Sequence, residues 1–380
     1  MEKQRAIYLD QRIAEEFCNF KCEYCEGFYP TEYSLLKDKE DNLHVPEEWY
    51  KLLRRCPKKV QENFESGRSF KHFYDMAEKV IKKNKETIDI DILKISGGEV
   101  SIYQGLCDFV ERIHSEFPMV QILSNGSNIS KEDILRYKAM GNITFQVSLD
   151  GVTKESNYGK SHSSAITEKV IKTVEELLDN EIGVEVNCVL TKYNTDKFNL
   201  FLEYFKGYSN LMIVPRPVRG EPRTILSASL EQAEKMEKYI YNNYDKYKNI
   251  IPPIQYFDNL FKIMKTGKRS TNCYIPYFVQ SVDGYGNYEI CPIGLLYKSH
   301  NNIFDEEFTS GELLLNSCYN IVGNKKCADC INQYEIFNLF VDDAIKKDEL
   351  MRFPSLNREE IISHIGDIKV KIKEKYGKNN

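Results

Sequence analysis

The stretch FCNFKCEYCE, residues 17–26, carries three closely spaced cysteines, Cys18, Cys22 and Cys25. Their C-x3-C-x2-C spacing places three thiolates on one short loop. Three thiolates can ligate three irons of a cubane iron–sulfur cluster, which leaves the fourth iron without a protein ligand. An open iron can bind and reduce a small molecule, whereas a fully ligated cluster mostly passes electrons.

Two other uses of a cysteine triplet compete with the cluster. Structural zinc requires four ligands, usually as two pairs. A disulfide framework is typical of secreted chains, but the N-terminal sequence MEKQRAIYLDQRIA lacks the apolar core of a secretory signal. The triplet therefore favours a cluster in a reducing compartment, and we expect a cytoplasmic protein.

Composition limits the classes of partner. A chain of 380 residues is long enough for one large and one small domain. A net charge of −5 gives no sign of a nucleic-acid binder. No apolar run approaches the roughly 20 residues that cross a bilayer. We expect neither nucleic acid nor a membrane as a partner.

From residue 68 onward, apolar runs alternate with segments of helical periodicity. Predicted strands lie at 5–13, 90–99, 119–126, 143–151, 184–191 and 211–218. Predicted helices lie between them at 68–84, 105–117, 131–140, 163–180 and 197–208. The alternation predicts an α/β fold with a parallel sheet and right-handed crossovers. Six units favour a partial (β/α)6 TIM-type barrel, with ligands at the carboxyl ends of the strands.

The chain is predicted to divide into four parts. Residues 1–225 form the barrel, and their segment 26–67 is long for a strand-to-helix connection. This insertion is either a lid or substrate surface, or a packed peripheral excursion. A bridging helical region at 226–262 precedes a small α+β domain at 263–340, and helices occupy 341–380.

The cysteine spacing resembles the signature of the radical S-adenosylmethionine (radical SAM) enzymes, over about residues 5–225. The resemblance implies a 4Fe–4S cluster whose open iron is chelated by SAM. It implies reductive cleavage of SAM to a 5′-deoxyadenosyl radical, which removes a hydrogen atom from the substrate. An external electron donor, flavodoxin or ferredoxin, is implied as a partner.

The resemblance also implies a SAM pocket, residue by residue. Tyr24 matches the aromatic residue that lies near the adenine. Gly97, Gly98 and Glu99 match the GGE-type motif that binds the methionyl ammonium. A carboxylate complements an ammonium group, and glycines let the backbone approach the ligand closely. Ser148 matches the polar residue that contacts the ribose or the methionyl carboxylate.

Three further strand-end residues match the same pocket less specifically. Asn125 follows the third strand, Asn187 lies on the fifth, and Arg216 ends the sixth. Arg216 is expected to meet either the methionyl carboxylate or the substrate.

A second cysteine set follows the barrel. Cys273 and Cys291 flank Gly286, and Cys327 and Cys330 form a later C-x2-C pair. This segment resembles the twitch domain, the shortened form of the SPASM extension, in which such a set ligates one auxiliary 4Fe–4S cluster. The resemblance implies these four cysteines as ligands, and a structural zinc site with the same ligands is the alternative.

A four-thiolate cluster is suited to electron transfer, and it could accept the electron left on a substrate radical. A thiol near that radical could instead return a hydrogen atom and so invert a stereocentre. Cys188, if it points inward, and Cys318 are candidates for this role. Cys318 also competes as an auxiliary ligand, with a poorer spacing. The default for both is a buried small hydrophobic residue.

The substrate stays open at this level. The resemblance favours oxidative modification of a ribosomally made peptide, by cross-linking or epimerisation. The alternative is a dehydrogenase of an aminocyclitol or sugar hydroxyl. Because the cluster loop begins by residue 18, we expect no peptide-recognition domain before it, and this weakens the peptide interpretation without removing it. A hypothesis of another class is a non-catalytic iron–sulfur electron carrier or a zinc-stabilised binding module.

Overall fold

The computed structural model describes residues 3–13, 18–25, 70–102, 105–219, 223–269, 271–289, 298–305 and 330–376. The insertion predicted at 26–67 lies outside these ranges, and so do Cys291, Cys318 and Cys327. No helix of the described residues is long and apolar enough to span a bilayer.

The strands of the described residues belong to one sheet. They are β1 (Gln4–Ile13), β2 (Ile88–Gly97), β3 (Met119–Ser124), β4 (Ile143–Ser148), β5 (Gly183–Leu190), β6 (Leu211–Pro217), β7 (Val279–Val282), β8 (Asn287–Glu289) and β9 (Lys298–Asn302). Their order is β6-β5-β4-β3-β2-β1-β7-β8-β9. Strands β1 to β6 pair in parallel with their neighbours. The predicted α/β fold with a parallel sheet is confirmed.

Helices connect and cover these strands. They are α1 (Phe70–Thr87), α2 (Leu106–Ile113), α3 (Lys131–Met140), α4 (Ser164–Asp179), α5 (Phe198–Phe205), α6 (Arg223–Leu226), α7 (Leu230–Tyr247), α8 (Ile254–Thr266), α9 (Ile275–Phe278), α10 (Glu335–Val341), α11 (Lys347–Met351) and α12 (Glu359–Tyr376). Because α1 to α5 each lie between successive parallel strands, each completes a crossover. Each helix predicted between the first six strands is observed, with ends that differ by a few residues.

Local sequence signals account for where helices begin and end. The Ser130 side chain accepts a hydrogen bond from the backbone N–H of Asp133 at the start of α3. Gly141 ends the same helix in the left-handed conformation, at φ 75°. A serine N-cap and a glycine C-cap satisfy backbone groups that the helix leaves unpaired. The cap predicted at Ser130 is confirmed.

The two faces of the sheet differ in chemistry. Along β5, Val184, Val186 and Cys188 share one face and Glu185 and Asn187 the other, because side chains alternate along a strand. We call the second face the inner face; it carries Tyr8, Asp10, Lys94, Ser96, Gln146, Glu185 and Asn187, all of them buried. The inner face therefore holds a set of polar side chains that are shielded from solvent.

The inner face is concave. Lys94 Nζ of β2 lies 2.5 Å from Gln146 Oε1 of β4, although β3 lies between these strands. Ser355 Oγ is 2.7 Å from Tyr8 Oη of β1, and the Ser355 N–H donates to Glu185 Oε1 of β5 at 3.1 Å. In a flat sheet, β1 and β5 would lie roughly 19 Å apart, at about 4.8 Å per strand. One serine can join them only if the sheet curves.

The C-terminal region closes the amino end of this concave face. The turn Pro354–Leu356 contains Ser355, which is fully buried. Pro354 lies against Gly183 at the beginning of β5, where an added Cβ would lie 2.5 Å from Pro354 Cβ. The segment before α12 thus fits a space that only glycine leaves open.

The strands after residue 278 extend the same sheet. Strand β7 pairs in parallel with β1 and in antiparallel with β8. Gly286, singled out in the sequence, lies in the turn between β7 and β8 at φ 88°, a conformation that favours glycine. The sequence predicts a small separate domain here, whereas the described part of the segment 263–340 shares a sheet with the first six strands.

We predict that Gly183→Ala destabilises the fold by about 1–3 kcal/mol, because the new methyl group overpacks against Pro354. Gly366→Ala is the control. Its Cβ would meet nothing within 4 Å in the middle of α12. It should stabilise the protein by about 0.5–1 kcal/mol. Urea unfolding measures both free energies. Equal effects of the two substitutions would contradict the docking of Pro354 under β5.

Candidate functional site

The cysteine loop leaves the carboxyl end of β1, beside the end of β2. Ile13 and Gly97 are the last paired residues of the two strands. A Cβ on Gly97 would lie 2.0 Å from the Ile13 carbonyl oxygen. The first glycine of the SGGE sequence therefore allows β1 and β2 to approach closely just before the loop.

Side-chain amides hold the loop to the neighbouring strand ends. Asn125 Nδ2, after β3, donates to Asn19 Oδ1 at 2.8 Å, and Asn19 Nδ2 donates to Ser127 Oγ at 2.8 Å. On the other side, the Glu23 N–H donates to the Gly159 carbonyl at 2.7 Å. Asn125, a weak SAM-pocket candidate, has a definite structural role in bracing the loop.

The three thiols of the loop lie within each other's electrostatic field. Burial raises the pKa of Cys22, the neighbouring Cys25 and Cys18 raise it further, and Lys160 opposes them. In the described residues, no group of three or more His, Cys, Asp or Glu side chains has the arrangement of a metal site. The donor set nonetheless fits an iron–sulfur cluster, because three adjacent soft sulfur ligands are stabilised as thiolates by a bound cation.

A buried carboxylate lies behind the loop. Tyr24 Oη donates a hydrogen bond to Asp150 Oδ2. Asp150 Oδ1 accepts the Val189 N–H at 2.9 Å and lies 3.3 Å from Lys160 Nζ. The pKa of Tyr24 is raised by burial and then by the Asp150 charge. Lys160 was not predicted from the sequence as a site residue. It lies in a polar stretch without periodicity, so no local signal marks it as buried.

Glu99 is turned into the protein. It is 1% exposed, and its carboxylate accepts bonds from the Ser124 hydroxyl at 2.7 Å and from the Ser101 and Asn125 N–H groups at 2.9 and 2.5 Å. Burial raises the pKa of Glu99, and these bonds oppose that rise. In the described residues, Glu99 links the end of β2 to the end of β3.

The other predicted pocket residues lie on adjacent strand ends. Ser148 of β4 is the register partner of Asn187 on β5, and Arg216 of β6 is the partner of Val189. Asn187 is buried, and its Oδ1 has no hydrogen-bond partner in the described residues. A buried polar atom without a partner is costly. The Asn187 position therefore suits contact with a bound polar group.

Half of the chain matches a known protein family. Residues 15–205 match the family model of the radical SAM superfamily. The chain belongs to the radical SAM superfamily. Membership implies a 4Fe–4S cluster and SAM as cofactors, and the thiols of Cys18, Cys22 and Cys25 are the donor set that fits that cluster.

Two curated proteins from Bacillus subtilis (strain 168) are similar to parts of this chain. The sporulation killing factor maturation protein SkfB is 25% identical over 111 residues, 29% of this chain and 27% of SkfB. The antilisterial bacteriocin subtilosin biosynthesis protein AlbA is 24% identical over 225 residues, 57% of this chain and 48% of AlbA. The matched regions thus span about a quarter and about half of these relatives.

Solved structures share the fold. Streptococcus suis SuiB bound to the precursor peptide SuiA aligns with a TM-score of 0.55 and 13% identity, over 85% of this chain and 69% of SuiB. Native anSMEcpe with bound AdoMet aligns with a TM-score of 0.55 and 15% identity, over 96% of both chains. At 13% and 15% identity, these two structures show a shared fold and no more.

Cys188 does not meet the condition set for a hydrogen donor. It shares the face of Val186, opposite the inner face, because side chains alternate along β5. Its Sγ lies 3.7 Å from the Asp150 carbonyl and 3.8 Å from Asn194 Nδ2. The side chain of Cys188 therefore does not point toward the inner face, as a hydrogen donor would have to do. Cys318, the other candidate, lies outside the described residues.

Two of the four predicted auxiliary ligands lie in the described residues. Cys273 and Cys330 are 9% and 6% exposed. Both lie near Arg269, where they help to raise the pKa of that guanidinium group. The structure thus brings together cysteines that are 57 positions apart in the sequence. Cys291 and Cys327 lie outside the described residues.

A buried lysine on the inner face was also missed from the sequence. Lys94 Nζ lies 2.5 Å from Gln146 Oε1 and 3.1 Å from Tyr334 Oη. Burial lowers the pKa of Lys94. Tyr334 follows Cys330 by four residues, so the Lys94–Tyr334 contact connects the second cysteine region with the inner face.

We predict that Glu99→Gln destabilises the protein by about 1–3 kcal/mol, because the amide NH2 group cannot accept and leaves a buried donor unpaired. Glu116→Gln, at an exposed pair with Lys85, should change the free energy of unfolding by less than about 0.5 kcal/mol. Chemical denaturation measures both variants. If Glu99→Gln leaves the free energy of unfolding unchanged, the three hydrogen bonds to Glu99 do not stabilise the strand ends.

Proposed function

We propose that this radical SAM enzyme modifies a ribosomally made peptide, either by oxidative cross-linking or by epimerisation. We infer the substrate class from two sequence relatives. One is named for maturation of a killing factor and the other for biosynthesis of a bacteriocin. SuiB, which shares the fold, is bound to a precursor peptide in its own structure.

We propose that the SAM pocket lies at the carboxyl ends of β2, β4 and β5, next to the cysteine loop. When bound, the reduced cluster and SAM supply a 5′-deoxyadenosyl radical that removes hydrogen from the substrate. Tyr24, held by Asp150, is proposed to orient the adenine. The backbone of Gly97 and Gly98 is proposed to receive the methionyl group, with Glu99 holding this backbone in place.

Three strand-end residues are proposed to complete the pocket. Ser148 and Asn187, side by side on β4 and β5, are suited to a ribose hydroxyl or a carboxylate. Arg216, at the end of β6, is suited to a carboxylate of SAM or of the substrate. The external electron donor, flavodoxin or ferredoxin, stays a prediction.

We infer that β1 to β6 form a partial barrel and that the substrate group enters its concave face. The support is the curvature that brings Lys94 to Gln146 and Tyr8 to Ser355. Lys94 and the buried, unpartnered Asn187 Oδ1 offer a donor and an acceptor on that face.

An auxiliary 4Fe–4S cluster in a twitch-type region is proposed to take the electron that the substrate radical loses. Its proposed ligands are Cys273, Cys291, Cys327 and Cys330. The support is the convergence of the two described ligands and the contact of Tyr334 with Lys94. For a cross-link, the substrate radical loses one electron to the cluster and one proton to a base as the product forms. Epimerisation involves no net oxidation, because the substrate radical regains a hydrogen atom from a thiol.

We expect Cys22→Ala to abolish release of 5′-deoxyadenosine, because the cluster loses one of its three protein ligands. The assay uses anaerobically reconstituted, reduced protein with SAM, and chromatography measures the product. Cys107→Ala is the control, because Cys107 is a buried cysteine of α2 that lies beside Arg136 and Tyr137 of α3. Release by Cys22→Ala at the parent rate would reject the cysteine loop as the cluster site. No release by the iron-loaded parent would reject SAM cleavage in favour of an electron carrier.

We expect Cys330→Ala to keep slow release of 5′-deoxyadenosine but to lose cross-linked product, because the electron acceptor is missing. The probe is a short peptide encoded beside this chain's gene, analysed by mass spectrometry and by chiral amino-acid analysis. Normal turnover by Cys330→Ala would contradict the role of the second cluster. Turnover of an aminocyclitol but of no peptide would favour the dehydrogenase.

A further inference from the structure

The second cysteine region contains a buried ion pair that the proposed reaction does not use. Arg269 Nη2 lies 2.9 Å from Glu335 Oε2, and the two side chains are 9% and 2% exposed. Desolvation of two charges costs several kcal/mol per ion, so a buried pair is weak evidence for stability by itself. The surroundings of this pair point to a different role.

Glu335 holds the segment that carries Cys273. Its Oε1 accepts the Thr271 hydroxyl at 2.6 Å, and its Oε2 accepts Asn338 Nδ2 at 2.8 Å. Asn338 Oδ1 in turn accepts the backbone N–H of Tyr274 at 2.7 Å. The residues on both sides of Cys273 are therefore bonded to α10.

The beginning of α10 also holds Cys330. Asn332 Nδ2 lies 3.9 Å from Cys330 Sγ, and the Asn332 carbonyl accepts the Glu335 N–H at 3.0 Å. Asn332 Oδ1 accepts the Tyr334 N–H at 2.8 Å. One carboxylate, that of Glu335, thus lies at the junction of the two segments that supply cysteines.

Arg269 retains donors that its oxygen partners do not use. Its Nη2 donates to Glu335, to Thr271 Oγ1 at 3.1 Å and to the Asn272 carbonyl at 3.2 Å. Its Nε and Nη1 atoms are buried and have no hydrogen-bond partner in the described residues. Burial works to lower the pKa of Arg269, but Glu335, Cys273 and Cys330 raise it above its usual value. Besides the Thr271 hydroxyl and the Asn272 carbonyl, the groups near this cation are the Glu335 carboxylate and the thiols of Cys273 and Cys330.

We propose that Arg269 is a positioning residue of the auxiliary metal site. Arg269 holds Cys273 and Cys330 together as paired ligands and donates its N–H groups to their sulfurs. The inference rests on the proposed function, because it takes this site to hold a 4Fe–4S cluster. Hydrogen bonds to the sulfurs and a nearby positive charge stabilise the reduced, more negative form of a cluster. Arg269 therefore raises the reduction potential of this centre.

The test isolates the second centre in the full-length chain. Cys18, Cys22 and Cys25 are replaced together by Ala, the protein is reconstituted anaerobically with iron and sulfide, and iron per chain is counted. Potentiometric titration followed by electron paramagnetic resonance then gives the midpoint potential. Arg269→Gln removes the charge, Arg269→Lys keeps the charge without the planar group of donors, and Lys268→Gln makes the same charge change at an exposed neighbour.

We expect the midpoint potential to be highest in the parent and in Lys268→Gln, intermediate in Arg269→Lys and lowest in Arg269→Gln. Iron loss to a chelator should be several-fold faster in Arg269→Gln. If iron binds but the potential and the iron loss of both Arg269 variants match the parent, the inference is overturned and the auxiliary cluster stands. If the parent binds zinc or no iron, the auxiliary cluster and the inference fail together.

Discussion

The long parallel pairing of β1 with β2 is the constraint on which the site depends. The register runs from Gln4 opposite Ile88 to Ile13 opposite Gly97, although more than 70 residues separate the strands in sequence. Both strands therefore end at one edge. The close approach at Gly97 places the cysteine loop beside the SGGE turn, and Glu99 and Asn125 join that turn and the loop to the end of β3.

Buried charges occur at each proposed centre of chemistry. Asp150 and Lys160 lie behind the cysteine loop, Lys94 lies on the inner face, and Arg269 pairs with Glu335 beside the second cysteine set. Such groups are costly to bury unless they are paired with an opposite charge or hydrogen-bonded. The described residues thus place a buried charge behind the cysteine loop, on the inner face and beside the second cysteine set.

Much of the fold could be predicted from local pattern. Alternating strand and helix periodicity yields the parallel sheet, and the Ser130 cap and the Gly286 turn follow from residue chemistry that acts over a few positions. The direction of a side chain depends on more distant contacts. The thiol of Cys188 faces away from the inner face, and Glu99 is directed inward to Ser124 and Asn125. Alternation along β5 groups Cys188 with Val184 and Val186, but only the packed structure shows which face of the sheet is the inner one. For Glu99, which lies beyond the end of β2, the sequence contains no periodic signal.

The sequence by itself determined the three-cysteine spacing, the superfamily chemistry that this spacing indicates, and the order of strands and helices, because these depend on neighbours along the chain. Tertiary structure alone decided that Lys160 lies beside Asp150, that Lys94 contacts Tyr334, and that Arg269 joins Cys273 to Cys330. These pairs come from segments that the chain separates and the curved sheet brings together. Their burial, and with it the strength of their charges, arises only when the segments pack.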